Sequence, residues 1–360
     1  MINWNKNLTV LGLNNNFYGS YSSNQTFFKE MMSAFRVVGI RVLTASTIEE
    51  AMKIFETEDI SFSLSFSKYK YYFEGKPLYD IYKVSNYQWI SDNPLKMNLD
   101  MDSKWIKYIF IDNEYPLVLD KQAVNEYLFR PLGFLERNLM KPGNKNGHIL
   151  VPCKIRNLNK IYAQINDSSM SKLMKKFLEG YARSSSFIKA ITSFFQQETV
   201  ENPNDKELIF RLTNEYTRVE KRLWTIEHID TFPIDVLSED FKNDIKNKNV
   251  NFLTPVDYSM MQQVINNYSY VINVDPNYHS CIHDRFIKVV SSGSICITND
   301  NDLISNITPL IYSFDKEDSI MQAIALSEKD DIYEKQKLAI LPYSWEKSAQ
   351  IIINDYIKGW

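Results

Sequence analysis

The feature that most constrains the fold is a repeated alternation of short β-rich apolar runs with amphipathic helical patterns. Strands are predicted at LTVLGL (8–13), IRVLTA (40–45), ISFSLSFS (60–67), YQWIS (87–91) and IKYIFID (106–112). Helices are predicted between them at NQTFFKEMMSAFRVVG (24–39), STIEEAMKIFETED (46–59) and PLYDIYKVSN (77–86). The second helix opens with the capping-box spacing of Ser46 and Glu49. This alternation predicts a parallel sheet with helices on both faces.

A second α/β pattern follows KPGNKNGH (141–148), whose Pro, Gly and Asn residues are typical of a linker. A helical region over about 168–229 comes first, in which SKLMKKFLEGYARSSSFIKAITSFFQQ (171–197) is continuous and lacks proline. Strand and helix patterns then alternate at 234–238, 240–248, 250–256, 258–267, 268–276, 283–293 and 294–300. The sequence therefore predicts an α/β protein with two Rossmann-like domains facing a cleft, at 1–145 and 146–340.

Composition narrows the functional classes. A chain of 360 residues is longer than one core usually organises, and its 44% hydrophobic and 24% charged residues are ordinary for a globular protein. A net charge of only −3 argues against nucleic acid as a main partner. Three widely spaced cysteines argue against a disulfide framework, and no window approaches 18 apolar residues. We therefore expect a cytoplasmic protein.

Ligands of open parallel sheets bind beyond the carboxyl ends of the strands. The loops at these ends are predicted at 14–22, 91–94, 112–115, 273–283 and 298–302. The first of them has no G-x-G-x-x-G, which argues against a dinucleotide site there.

The stretch NVDPNYHSCIHDRFIKVVSSG (273–293) holds two of the four histidines, His279 and His283. Zinc binding would need a third ligand, and none is evident. A catalytic dyad of Cys281 with a histidine is less well supported, because no feature of the sequence indicates that this thiol is activated. A third interpretation is purely structural: a loop leads into a helix that is capped by Asp284 or Ser280, which explains the apolar residues.

The structural interpretation does not explain why His283 and Arg285 lie at the N-terminus of the helix. Backbone N–H groups and the helix dipole favour an anion at such a position, and an arginine can donate to two phosphate oxygens. The residues therefore predict a site for the phosphates of a nucleotide. Two interpretations of Arg218 and Arg222 stay open: a solvated helix face paired with Glu215 and Glu220, or a reach to the same phosphate.

The segment IHDRFIKVVSSGSICITNDNDLI (282–304) resembles the C-terminal signature of GT-B glycosyltransferases of the CgeB-like, glycosyl transferases group 1 type. The residues that carry this resemblance are His283, Asp284, Arg285, Phe286, Gly293 and Thr298. YQWISDNPL (87–95) and NEYTRVEKRLWTIEHIDTFPIDVLS (214–238) resemble two further segments of the same group.

The resemblance implies a metal-independent transferase whose nucleotide-sugar donor is a co-substrate, with no other cofactor. The donor would bind residues 146–340, the acceptor would bind 1–145, and a helix within 341–360 would cross back to the first domain. The residues expected to hold the donor are Asn273, Asn277, His283, Arg285, Gly293, Thr298, Arg218 and Arg222.

An inverting reaction needs a base for the acceptor hydroxyl. We expect this base to be Asp92, which follows the strand YQWIS, or else Asp112, which follows IKYIFI. The D-x-D triplet DMD (100–102) follows no apolar strand, which favours a polar surface loop.

The expected acceptor is a glycan or lipid-linked glycan of a bacterial surface polysaccharide. The tyrosines and lysines of SKYKYYFEGKPLYDIY (67–82) suit an acceptor surface, an amphipathic rim or a contact with the inner face of the membrane. Two alternatives remain: a non-catalytic nucleotide- or sugar-binding module, and a sugar-nucleotide epimerase of the same architecture.

Overall fold

The computed structural model contains two six-stranded sheets, both wholly parallel, and a two-stranded hairpin. It describes residues 8–14, 23–91, 94–96, 99–100, 102–119, 127–143, 145–238, 245–274, 277, 279–328 and 331–359. The strands are β1 Thr9–Leu13, β2 Arg41–Ala45, β3 Phe62–Phe66, β4 Tyr72–Phe73, β5 Lys76–Pro77, β6 Ser85–Ile90, β7 Ile106–Phe110, β8 Tyr127–Phe129, β9 Asn146–Val151, β10 Ile234–Leu237, β11 Val250–Leu253, β12 Tyr268–Asn273, β13 Ile295–Asn299 and β14 Ile311–Tyr312. The helices are α1 Ser23–Val37, α2 Ile48–Thr57, α3 Leu78–Tyr82, α4 Tyr115–Val118, α5 Leu158–Asn166, α6 Ser171–Gly180, α7 Phe187–Gln197, α8 Pro203–Glu227, α9 Met261–Asn266, α10 Asp284–Ser291, α11 Ser319–Ser327, α12 Ile332–Ile340 and α13 Trp345–Ile357.

The chain divides into two compact units. The first comprises 1–113, 120–138 and 341–360, and the second comprises 114–119 and 139–340. Each unit holds one of the two large sheets, so the α/β prediction of two Rossmann-like units is confirmed. Within the described ranges, no helix is both long and apolar enough to cross a bilayer.

The sheet of the first unit has the order β2-β1-β3-β6-β7-β8. Every residue of β1, β3 and β6 is buried, as expected for strands covered by helices on both faces. The strand order reverses between β1 and β3, which is where ligands of such sheets bind.

Helix α2 begins one residue later than the predicted capping box. The Thr47 hydroxyl accepts from the Glu50 backbone N–H at 3.2 Å, and the Glu50 carboxylate accepts from the Ser46 N–H at 2.8 Å. The prediction of Ser46 with Glu49 was therefore wrong. Thr47 offers the same hydroxyl chemistry one position along, and the pattern alone could not separate the two frames.

Helix α13 belongs to the first unit. The Trp345 ring is fully buried, with its centroid 5.2 Å from that of Trp89, and its indole N–H donates to Glu30 at 2.8 Å. At the other end of the helix, Asp355 accepts from the Lys107 ammonium at 2.9 Å and from the Tyr87 hydroxyl at 2.6 Å. Apolar burial and an ion pair together fix this helix on the sheet.

The sheet of the second unit has the order β11-β10-β9-β12-β13-β14. This is the order of a doubly wound dinucleotide-type sheet, with its reversal between β9 and β12. The sequence interpretation placed residues 146–148 in a linker and predicted no strand over 149–151, so it missed β9. Residues 146–148 are polar and partly exposed, whereas Leu150 and Val151 are fully buried.

Between β9 and β10 the chain forms a helical layer, α5 to α8, in place of a single crossover helix. The continuous helix predicted over 171–197 is wrong, because α6 ends at Gly180 and α7 begins at Phe187. Ser186 caps α7 by accepting from the Lys189 backbone N–H at 3.2 Å. The predicted helix at 240–248 falls largely on residues outside the described part of the chain.

Candidate functional site

A narrow pocket opens at the carboxyl edge of the second unit's sheet. It is lined by residues at or just after the ends of β12, β13 and β14 and by two cations of the helical layer: Asn277, His279, Asn299, Asp300, Ser313, Arg183 and Lys221. Its cavity volume is about 30 Å³. It can therefore take one small polar group of a larger ligand, and most of that ligand would lie outside it.

Lys221 lies at the wall of this pocket with only 2% of its surface exposed. Its ammonium donates to the Tyr181 hydroxyl at 2.8 Å and lies 3.4 Å from the Asn277 amide oxygen. It also lies 5.2 Å and 5.3 Å from the ring centroids of Tyr181 and Phe314. A cation held in a fixed position at the wall of a polar pocket attracts negatively charged groups, so Lys221 favours an anion in the pocket.

Asn277 is held against α8. Its amide nitrogen donates to the side-chain oxygen of Asn214 at 2.6 Å and to the Thr217 hydroxyl at 2.9 Å. This predicted site residue therefore lines the pocket in a fixed orientation, with its oxygen turned towards Lys221.

The loop that carries His279 is anchored by a buried carboxylate. Glu114, 3% exposed, accepts from the Ser280 hydroxyl at 3.0 Å and pairs with Lys189 at 2.9 Å, and Ser186 also donates to it. His279 itself lies 3.4 Å from Asp302. The glutamate thus links the loop, through Ser280, to the start of α7, through Ser186 and Lys189.

The second histidine has different partners. His283 is the N-cap of α10, with its Nδ1 3.1 Å from the Arg285 backbone nitrogen and 2.9 Å from Asp284. The expectation that Asp284 or Ser280 caps this helix was therefore wrong. Burial acts to raise the pKa of Asp284, but the charges of His283 and Arg285 and a hydrogen bond from Tyr258 hold that pKa well below its usual value.

The Arg285 guanidinium turns towards the sheet. It donates to the Asn273 side chain and to the Val274 carbonyl, each at 3.3 Å, at the carboxyl end of β12. Arg222 donates to the Lys154 carbonyl at 2.5 Å, just beyond β9. Burial raises the pKa of the Cys153 thiol, and the charges of Arg222 and Arg285 both oppose that rise.

The structure therefore brings two of the predicted cations together at the reversal between β9 and β12. None of the three predicted arginines, Arg218, Arg222 and Arg285, is among the residues that line the pocket. The ion pairs expected for a solvated helix face are not the ones formed. Glu215 pairs with Arg156, and Glu220 pairs with Arg183.

Two predicted residues are internal to the sheet. Asn273 and Thr298 are 1% and 0% exposed, and the asparagine amide donates to the threonine hydroxyl at 3.1 Å. They link β12 to β13 and position the asparagine oxygen that Arg285 contacts.

Gly293 precedes β13 and so lies at the amino edge of the sheet, opposite the carboxyl-edge pocket. Its φ is +81°, and a Cβ there would lie 2.7 Å from the Lys141 carbonyl oxygen. The structure does not bring it together with the other predicted residues.

In the first unit, Asp112 follows β7 and is fully buried. Asp92 lies outside the described residues. Next to it in sequence, the Ser91 hydroxyl belongs to a polar cluster that the sequence interpretation missed. The Ser67 hydroxyl lies 3.2 Å from that of Ser91 and accepts from the Asn24 amide at 3.1 Å, and Ser67 has a φ of +58°.

Metal ligands are not grouped in the part of the chain that the structure describes: no three His, Cys, Asp or Glu side chains there could hold a metal ion.

Comparisons with known proteins give solved structures only. No protein-family model matches the chain, and no curated protein matches it. The β-glucosyltransferase of T4 phage in complex with UDP and Mn²⁺ aligns with a TM-score of 0.51 at 10% identity, over 98% of this chain and 97% of its own. Sucrose-phosphate synthase from Thermosynechococcus elongatus aligns with a TM-score of 0.51 at 8% identity, over 98% of each chain.

A third structure is an α-glucosyltransferase in complex with UDP and a 13-mer DNA. Its TM-score is 0.52 at 12% identity, over 96% of this chain and 99% of its own. Identities this low carry the fold alone. Together with the two doubly wound sheets, these likenesses show that the chain has the GT-B fold.

Proposed function

We propose that the chain is a glycosyltransferase that moves a sugar from a nucleoside-diphosphate donor to a glycan acceptor. The observation that carries the proposal is that Lys221 lines the pocket at the carboxyl edge of the second unit's sheet, and that Arg222 and Arg285 contact backbone carbonyls just after β9 and β12 at the same edge. The solved neighbours named above include complexes with UDP, and another carries uridine diphosphoglucose as its substrate.

In the proposed reaction the acceptor oxygen bonds to the anomeric carbon, and the bond from that carbon to the diphosphate breaks. The electron pair leaves on the phosphate oxygen, so negative charge grows there in the transition state. Lys221 and Arg285 stabilise this charge, which is the usual role of fixed cations near a leaving group. The reaction is proposed to need no metal ion.

The base that takes the acceptor proton is proposed to be Asp92, with Asp112 as the alternative. Asp112 is fully buried, and a base must reach the proton that it removes. Asp92 directly follows Ser91, whose hydroxyl belongs to the cluster with Asn24 and Ser67. The left-handed backbone of Ser67 is a strained feature, and such strain concentrates at functional sites.

The proposed acceptor is a glycan or lipid-linked glycan of a bacterial surface polysaccharide, handled in the cytoplasm at the inner face of the membrane. The α-glucosyltransferase neighbour was solved with DNA, so a nucleic-acid acceptor is a distinct candidate. A net charge of −3 disfavours it, because DNA binding depends on many phosphate contacts. The segment resemblance to the CgeB-like group supports the glycan.

The test is to incubate the full chain with UDP-, GDP-, dTDP- and CMP-sugars and to measure free nucleotide by liquid chromatography, with and without oligosaccharide acceptors. Acceptor-dependent release of one nucleotide is the expected result, unchanged by EDTA. Binding without release would favour a non-catalytic module, and conversion of the sugar without an acceptor would favour an epimerase. Release only with duplex DNA would replace the glycan acceptor.

A further inference from the structure

A second and larger cavity lies on the helical layer of the second unit. Its volume is about 480 Å³, within the range of about 300–1,000 Å³ typical of small-ligand pockets. It lies against α5, α6 and α8, which come between β9 and β10 in the sequence. A Rossmann crossover needs only one helix, so the additional helices build a wall that the sheet itself does not require.

Tyrosine rings form one side of this cavity. Tyr162 of α5 is 41% exposed, and its ring centroid lies 5.9 Å from that of Tyr216 on α8, with the planes tilted by 48°. The Lys175 ammonium lies 6.0 Å from the Tyr162 centroid. An exposed ring beside a partly buried one offers an apolar face with hydroxyl groups at its rim.

The charged side chains at this cavity are mixed and slightly acidic. Three carboxylates, Glu179, Glu220 and Asp315, face two cations, Lys175 and Arg183, which gives 2 − 3 = −1. Arg183 is already paired with Glu220 at 2.9 Å. This balance disfavours a phosphate, in contrast to the Lys221 pocket, and it supplies carboxylate oxygens that accept strong hydrogen bonds from hydroxyl groups.

A ligand with one apolar face and many hydroxyl groups satisfies both features. Pyranose rings have this character, because their C–H groups lie on one face and their hydroxyl groups point to the sides. The electron-rich face of a tyrosine ring attracts the weakly positive C–H groups. We propose that this cavity is an ancillary binding site for a neutral oligosaccharide, which stacks on Tyr162 and donates hydrogen bonds to the carboxylates.

The cavity adjoins the donor pocket, because Arg183 lines both, but Tyr162 and Lys175 line only the cavity. It would hold a glycan chain near the transfer site without taking part in the chemistry. The inference goes beyond the proposed function and does not depend on it, because oligosaccharide binding is expected whether or not the chain transfers a sugar.

The test is titration calorimetry of the full chain with maltotetraose, cellotetraose, chitotetraose and mannotetraose, up to about 10 mM. At least one is expected to bind saturably. Tyr162→Ala should weaken that binding about tenfold or more, whereas Tyr162→Phe, which keeps the ring, should retain it within about twofold. Tyr127→Ala removes a comparably exposed tyrosine, 36% exposed, from the other unit and serves as the matched control.

Repeating the titration with saturating UDP or GDP separates the two sites. Undiminished oligosaccharide binding supports an ancillary site, whereas displacement by the nucleotide would assign the cavity to the donor and overturn the inference. No binding of any tetrasaccharide, or equal binding by wild type and Tyr162→Ala, would also overturn it. Oligosaccharide binding by a chain that binds no nucleotide would leave the inference intact and contradict the proposed function.

Discussion

The ammonium of Lys221 donates a 2.8 Å hydrogen bond to the hydroxyl of Tyr181, at the wall of the carboxyl-edge pocket of the second unit. Lys221→Met keeps the length of the side chain and removes its charge. It should weaken binding of the nucleoside diphosphate by about 1.5–3 kcal/mol, the scale of a hydrogen bond to a charged group. Calorimetry measures this loss.

Lys176→Met is the matched control, since this lysine pairs with Glu198 on the surface of the same unit. Its removal should leave nucleotide affinity unchanged. Equal affinities for the wild type and Lys221→Met would remove Lys221 from the donor site.

Arg285 contacts the carboxyl end of β12 from the first turn of α10. Arg285→Ala should also weaken nucleotide binding by about 1.5–3 kcal/mol. Arg285→Lys should recover only part of this loss, because an ammonium cannot donate to two oxygens in the fixed geometry of a guanidinium. Unchanged affinity of the alanine variant for UDP, GDP and CMP would exclude a donor role.

The two candidate bases are separable by kinetics. Asp92→Asn should lower turnover by roughly 10² or more with nearly unchanged nucleotide affinity, as expected for loss of a general base. Asp112 is fully buried, so Asp112→Asn should act mainly on the melting temperature of the protein. If Asp92→Asn kept normal turnover, and Asp112→Asn folded but lost its turnover, Asp112 would be the base and Asp92 would not.

The carboxylate of Asp284 makes the free energy of unfolding depend on pH in the acid range. His283 and Arg285 hold its pKa well below the usual value in the folded state. Its contribution to stability is therefore fully present above the unfolded pKa, about 3.9, and is lost progressively as the pH falls from that value towards the lower folded pKa. The difference in melting temperature between wild type and Asp284→Asn should be constant well above about pH 4 and should narrow steadily below it. A difference that does not narrow as the pH falls below about 4 would contradict the assignment.

Gly293 was expected from the sequence to lie in the donor site, and its substitution tests whether its role is structural instead. Gly293→Ala combines a left-handed φ of +81° with a Cβ 2.7 Å from a backbone oxygen, so it should destabilise the protein by at least about 1–3 kcal/mol. Gly39→Ala has a similar φ of +89° and no atom within 4 Å, and it isolates the backbone strain. Urea unfolding measures both. A folded Gly293→Ala with weakened nucleotide binding would return this glycine to the site.

The fold was largely predictable because most strands of both sheets are short apolar runs separated by helical periodicity. One element missed is β9, whose first half is polar and largely exposed although Leu150 and Val151 are fully buried. Two others are β8 and β14, which span only three and two residues. The helix cap of α2 shifted by one residue because Ser46 and Thr47 offer equivalent hydroxyl groups.

The site was predictable only where local sequence carries the signal. Arg285 could be singled out because it lies at a helix start that follows a strand. Lys221 could not be, since it lies between two charged neighbours on a long helix and its burial depends on Tyr181 and Phe314, which are distant in sequence. Glu114 could be placed after the strand IKYIFI, but its role in anchoring the His279 loop could not be predicted, because its partners Ser186, Lys189 and Ser280 come from two remote segments.

The most direct test of the central claim is calorimetric titration of the full chain with UDP, GDP and CMP, together with the Lys221→Met and Arg285→Ala variants. The account predicts that at least one nucleotide binds the wild type and that both substitutions weaken this binding about tenfold or more. Failure of all three nucleotides to bind, or binding that neither substitution alters, would contradict a nucleotide-sugar site at this edge of the sheet.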